Sequence, residues 1–171
     1  MSFWKSPDLF NKYAKGYYVV TDADVIPVND CPDNFMEMFI TELNKSYMQT
    51  KVGFSLKLDD IPDTNVNKKQ ILKWESKYWN IKTATNIFKA EIDTTFALYK
   101  PKYRYKLKKF TKAKRFDHPL QAKHGGWYID TNNLTEEQDY YIKTANTSAS
   151  WITNKQGDLI NEAHKPLYDA E

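Results

Sequence analysis

Two carboxylates one residue apart, Asp22 and Asp24, directly follow the apolar run Tyr17-Tyr18-Val19-Val20-Thr21. Mg2+ and Mn2+ prefer hard oxygen donors, and such a cation is commonly held by one or two carboxylates together with the phosphates of its substrate. An Asp-x-Asp pair at the end of a strand can therefore hold a cation that bridges a diphosphate, as transfer from a nucleotide-activated donor requires. The same spacing also occurs in ordinary acidic turns that close a strand. Other residues could join the chemistry. Asp59, Asp60 and Asp63 crowd the stretch Asp59-Asp60-Ile61-Pro62-Asp63, and Asp93 interrupts a run of Ile92, Thr94, Thr95 and Phe96, where a carboxylate is costly unless it is paired or useful. His124 precedes Gly125-Gly126 and is either a metal ligand or a loop imidazole capping a carbonyl. Trp127 and Tyr128 offer flat faces that stack on the C–H face of a sugar or pack in a core.

These groups need elements to position them. The run 16–21 is short, aromatic and β-branched, which predicts a strand ending at Asp22. Over 33–47, Phe35, Met36, Phe39, Ile40 and Leu43 recur at helical spacing. Residues 51–58 alternate Val52, Phe54, Leu56 and Leu58 with Gly53, Ser55 and Lys57, the period-two pattern of a half-buried strand. A second helix is expected over 67–79, with Trp74, Tyr78 and Trp79 in the core and Glu75 exposed or facing a cleft. A third strand is expected over 90–99, a loop around His118 and His124, and an acidic helix start near Thr135. This order of strand and helix predicts an α/β fold, a sheet flanked by helices whose ligands gather beyond the carboxyl ends of its strands.

The chain has 171 residues, which suits a single domain over 1–171. With 41% hydrophobic and 15% aromatic residues it has ample area for a core, so it is expected to fold and not stay disordered. The lone Cys31 forms no disulfide within the chain, and neither a signal peptide nor a membrane span is visible, which makes the cytoplasm the expected compartment. The net charge of +3 does not by itself imply a polyanion partner. Residues 100–115, however, carry nine cations in sixteen positions. Their Tyr103, Tyr105 and Leu107 fall on the face opposite the charge, which disfavours nucleic acid for want of a stacking platform. A solvated face, a diphosphate, an acidic glycan or peripheral contact with an anionic membrane are the remaining readings. Arg104 and Arg115 are the only arginines, so bidentate phosphate clamps are scarce.

The segment Tyr17-Tyr18-Val19-Val20-Thr21-Asp22-Ala23-Asp24 resembles the metal-binding strand of GT-A-fold glycosyltransferases, particularly small family-2-like bacterial and viral enzymes. Further blocks follow in the family's order over about residues 15–151. They are 51–63, Trp74-Glu75 with Tyr78-Trp79, Ile92-Asp93-Thr94-Thr95-Phe96-Ala97-Leu98-Tyr99, and His124-Gly125-Gly126-Trp127-Tyr128. The resemblance implies a GT-A-like, Rossmann-like mixed sheet. It also implies a carboxyl-terminal portion of that fold, because the family's first strand–helix units, which form the nucleotide-base pocket, have no counterpart before Tyr17.

The activity implied is metal-dependent, inverting transfer of a sugar from a UDP- or GDP-linked donor to a glycan or lipid-linked acceptor, with Mn2+ or Mg2+ as cofactor. In that reading Asp24 ligates the metal, Asp22 meets the donor ribose or a metal-bound water, and Thr21 lies beside them on the donor side. His124 completes the metal's shell. Asp93 is the first candidate for the base and Asp60 its competitor, while Asp59, Glu75, Trp127 and Tyr128 face the acceptor. The alternatives are a non-catalytic or split fragment that binds glycan or a partner chain, self-association at an unfinished sheet edge, and a metal-dependent phosphohydrolase using Asp22, Asp24, Asp60 and Asp93.

Overall fold

The structure, a computed structural model, describes residues 2–92, 95–103, 112–130 and 132–144. It divides into two compact units, the first formed by residues 1–57 and 78–123 and the second by 58–77 with the described residues from 124 onward.

The first unit holds the sheet. Its described strands are β1 (Tyr18–Val20), β2 (Val25–Pro27), β3 (Lys51–Leu56), β4 (Lys82–Ala84), β5 (Ile87–Lys89), β6 (Ala97–Tyr99) and β7 (Ala113–His124), the last reaching the second unit at its final residue. They lie in the order β1-β6-β3-β7-β5-β4, and β2 also pairs with β7. β6 runs antiparallel to both β1 and β3, whereas β3 and β7 are parallel. β1, β3 and β7 therefore all point their carboxyl ends the same way. A mixed sheet flanked by helices is thus observed, as expected.

Register assigns the two faces. Tyr18, Tyr99, Lys51 and Ala113 are successive partners across four strands and share one face; Val19, Leu98, Val52 and Lys114 share the other. The first face is covered by α1 (Ser2–Lys5) and α2 (Pro7–Tyr13), which bring Trp4 and Phe10 onto Tyr18 and Tyr99. Ser6 begins α2, its hydroxyl accepting from Leu9 N with Pro7 in the first turn, a pairing favoured at helix starts. The opposite face is covered by α3 (Phe35–Asn44), whose Phe35 and Phe39 pack on Phe54, with Phe39 also stacked on Phe116. Burial of these rings, at about 25 cal/mol per Å² of apolar surface, is the main force holding helix to sheet.

Several sequence expectations are corrected. β3 is buried at every position, not half-buried, because it is an interior strand with a neighbour on each side, α3 over one face and Ile92 against the other. Gly53 makes this closeness possible, since a Cβ there would collide with the Phe96 carbonyl. Lys51 is fully buried with its ammonium donating to Ile92 O and lying over the Tyr99 ring. The loop expected around His118 and His124 is instead the twelve-residue β7. Pro119 is tolerated there because the β3–β7 register jumps, Phe54 facing Phe116 and Ser55 facing Gln121. The strand expected over 90–99 is confined to Ala97–Tyr99, and a hairpin of β4 and β5 precedes it, turning through Asn86 at φ 56°. Asp93 lies outside the described residues, as do 104–111 of the basic stretch.

In the second unit, α4 (Lys68–Ser76) continues into a 3-10 turn, and α5 (Glu136–Thr144) begins on the expected acidic turn. Among its buried residues are Ile61, Ile71 and Trp127. No helix among the described residues is long and apolar enough to cross a membrane.

Candidate functional site

Asp22 and Asp24 follow β1 in a turn that their own backbone closes. Thr21 Oγ1 donates to Asp22 O at 2.9 Å, and Val25 N donates to the same oxygen at 3.4 Å. The turn is tethered at both ends: β1 pairs with β6, and β2 pairs with β7, Val28 N donating to Gln121 O. The chain thus crosses from β1 to the carboxyl-terminal half of β7, with Asp22 and Asp24 on the crossing. Both are half-buried and Thr21 is exposed. This places the pair at the end of the sheet where β1, β3 and β7 finish, the position expected from the sequence.

The donor set suits a hard cation in one respect. Two carboxylates are what a Mg2+ or Mn2+ site takes from protein when substrate phosphates supply the remaining ligands. Among the described residues, no group of three or more His, Cys, Asp or Glu side chains converges as an all-protein metal site would need. His124 belongs to the second unit and the aspartates to the first.

The second unit gathers most of the other sequence candidates. The Tyr128 hydroxyl donates to Asp60 Oδ1 at 2.5 Å. Burial, then this bond and the charges of Asp60 and Asp59, push the Tyr128 phenol well above the ordinary tyrosine range. His124 stacks on Trp127 with ring centroids 5.2 Å apart and planes 12° from parallel. Trp127 is 1% exposed, which is the burial of a core ring and not of an open stacking platform. Tyr128 and Asp60 are half-buried, and Asp59 is exposed.

Asp63 stands apart from this group, solvent-exposed and bridged to Lys68 at 2.7 Å, which lowers its pKa. Lys68 also donates to Ile61 O, so the pair pins the acidic turn to the start of α4. Glu75 is corrected: it is 4% exposed, on the buried side of α4. Trp74, Tyr78 and Trp79, expected in the core, are half-buried, and the cover they have comes in part from two cations and a ring. Lys77 Nζ lies 3.0 Å from the Trp74 ring centre, Arg115 covers Tyr78, and Trp79 packs on Phe88.

Asn65 was missed by sequence reasoning. Its side chain donates to Trp127 O at 2.7 Å and accepts from Asn67 N at 2.8 Å, tying the turn after β3 to the Gly-Gly-Trp-Tyr segment. The available signal was its place in Asp63-Thr64-Asn65, a stretch rich in residues whose side chains bind nearby backbone.

Comparison of the chain with family models, curated proteins and solved structures finds no match.

Proposed function

We propose that this protein is a metal-dependent glycosyltransferase of GT-A type that takes a sugar from a nucleoside diphosphate donor. The observation that carries the reading is the position of Asp22-Ala23-Asp24 beyond β1, on a crossing at the carboxyl ends of β1, β3 and β7. Ligands of open α/β sheets collect at those ends. Asp24 and Asp22 would hold the divalent ion, and its chemistry there would be neutralisation of diphosphate charge. In an inverting transfer the acceptor hydroxyl oxygen bonds to the anomeric carbon as the bond from that carbon to the diphosphate oxygen breaks. The hydroxyl proton passes to a carboxylate base, for which Asp93 and Asp60 remain the candidates. Within the second unit, Tyr128 fixes one oxygen of Asp60 and so sets the orientation of that carboxylate. A pair of this kind also suits recognition of acceptor hydroxyls.

A second reading has its own support. Among the described strands β1 stands at the end of the sheet, and an end strand presents backbone groups that another chain can pair with. A split or non-catalytic protein would use that edge to receive a partner.

Calorimetric binding of UDP, GDP and their sugar conjugates, with and without Mn2+, tests both. Manganese-dependent binding that disappears in Asp24→Ala, with the unfolding midpoint unchanged, supports the donor site. Failure of a folded chain to bind any nucleotide rejects it, and recovery of binding on adding another chain supports the second reading.

A further inference from the structure

We propose that the amino-terminal end of the first unit's sheet, opposite Asp22 and Asp24, is a docking surface for an anionic lipid bilayer. Four stretches of chain meet there, at the starts of β1, β3 and β7 and the end of β6. Lys102 N donates to Ala14 O at 2.8 Å, Lys100 N to Thr50 O at 3.2 Å, and Thr50 N to Lys112 O at 3.0 Å. The Tyr17 hydroxyl joins this end of the sheet to α3 through Asn44 Oδ1 at 2.7 Å.

The stretches 12–17, 44–50, 99–103 and residue 112 hold Lys12, Lys15, Lys45, Lys100, Lys102 and Lys112, with no aspartate or glutamate among them. Lys45 is bridged to Glu42 at 2.8 Å, so Lys12, Lys15, Lys100, Lys102 and Lys112 carry the positive charge of this end. Lysines near an anionic membrane each add about fivefold to binding.

Apolar groups stand among these cations. Tyr47 is 95% exposed and Met48 58% exposed, on the connection into β3, and Tyr13 and Tyr17 are exposed on the neighbouring segment. Folding normally hides large apolar side chains, and their grouping with lysines is the pattern of an interfacial surface, apolar tips entering the headgroup layer beside cations. Lys100 braces this projection, its ammonium donating to Ser46 O at 2.6 Å and lying 6.0 Å from the Tyr47 ring centre. A nucleic acid would favour guanidinium forks, and the described arginine, Arg115, is buried with Nε donating to Glu91 O.

Co-sedimentation of the whole chain with phosphatidylcholine vesicles, with and without phosphatidylserine, tests the proposal. Binding is expected only with phosphatidylserine and falls as salt rises. The triple variant Lys12→Gln, Lys15→Gln, Lys102→Gln should bind about a hundredfold more weakly, from about fivefold per lysine. Tyr47→Ser with Met48→Ser should weaken binding at every salt concentration. Unchanged unfolding midpoints establish that the variants are folded. Absent binding to phosphatidylserine vesicles, equal binding to phosphatidylcholine alone, or indifference to both sets of substitutions would overturn it. So would tighter binding of a single-stranded oligonucleotide than of the anionic vesicles at the same salt.

Discussion

Tyr128 and Asp60, 68 residues apart in sequence, are joined by a hydroxyl-to-carboxylate hydrogen bond of 2.5 Å. Burial and the neighbouring carboxylates hold the phenol protonated above its ordinary pKa of about 10. A raised pKa means that the contribution of this group to stability is complete below about pH 10 and is lost as pH rises through the folded value. Asp60→Asn should let the phenol ionise at lower pH, seen as earlier phenolate absorbance in an alkaline titration. Tyr128→Phe should cost about 1–2 kcal/mol at neutral pH by denaturant unfolding, since a hydrogen bond to a charged group is lost.

Glu42 links α3 to the sheet, bridging Lys114 of β7 at 2.5 Å and Lys45 at 2.8 Å. Burial alone would raise its pKa, but the hydrogen bonds and charges of the two lysines outweigh burial and lower it. A lowered carboxyl pKa stabilises the fold above the ordinary glutamate value of about 4.3, and the effect disappears as pH falls through the folded value. Glu42→Gln should destabilise by about 2 kcal/mol at pH 7, less than for a fully buried pair because Lys114 keeps some water contact. The gap between variant and parent in urea midpoint should close on acidification.

Gly53 and Gly16 should respond oppositely to alanine. A Cβ at Gly53 meets the Phe96 carbonyl in the interior of the sheet, so Gly53→Ala should cost about 3 kcal/mol or prevent folding. Nothing lies within 4 Å of a Cβ at Gly16, and Gly16→Ala should be neutral or stabilising by up to about 1 kcal/mol. Thermal unfolding of the two variants side by side reads the contrast directly.

Tyr18 lies beneath α1 and α2, its hydroxyl donating to Tyr103 O and accepting from Trp4 Nε1 at 3.4 Å. Burial, the largest influence, pushes its pKa up to about 12. Its contribution is therefore intact below about pH 10 and declines as pH rises toward 12. Tyr18→Phe should be about 1 kcal/mol less stable at pH 8 and lose less stability than the parent between pH 10 and 12.

Legibility in the sequence followed the strength of periodicity. The helical recurrence of Phe35, Phe39 and Leu43 marked α3, and the alternation around Phe54 marked β3. Alternation could not tell one buried face from two, because the polar members of β3, Lys51 and Ser55, are buried with the rest. β7 was hidden by Pro119, whose accommodation depends on a register jump against β3 that no local pattern encodes. β4 was hidden because all three of its residues are exposed. The acidic turn after β1 was visible because carboxylates directly follow an apolar run. The Asp60–Tyr128 and Asn65–Trp127 contacts were not visible as pairs, since each joins segments more than sixty residues apart.

The shared direction of β1, β3 and β7 gives the first unit two distinct ends, with Asp22 and Asp24 beyond the end of β1 and Lys15, Lys100, Lys102 and Lys112 at the end where these strands begin. A first unit resting on a bilayer by its lysine end would hold the Asp22–Asp24 turn at the end of the sheet away from the headgroups. On the proposed glycosyltransferase reading, a soluble donor would then arrive by diffusion in three dimensions. An acceptor confined to the leaflet would need a headgroup long enough to rise past the length of the strands.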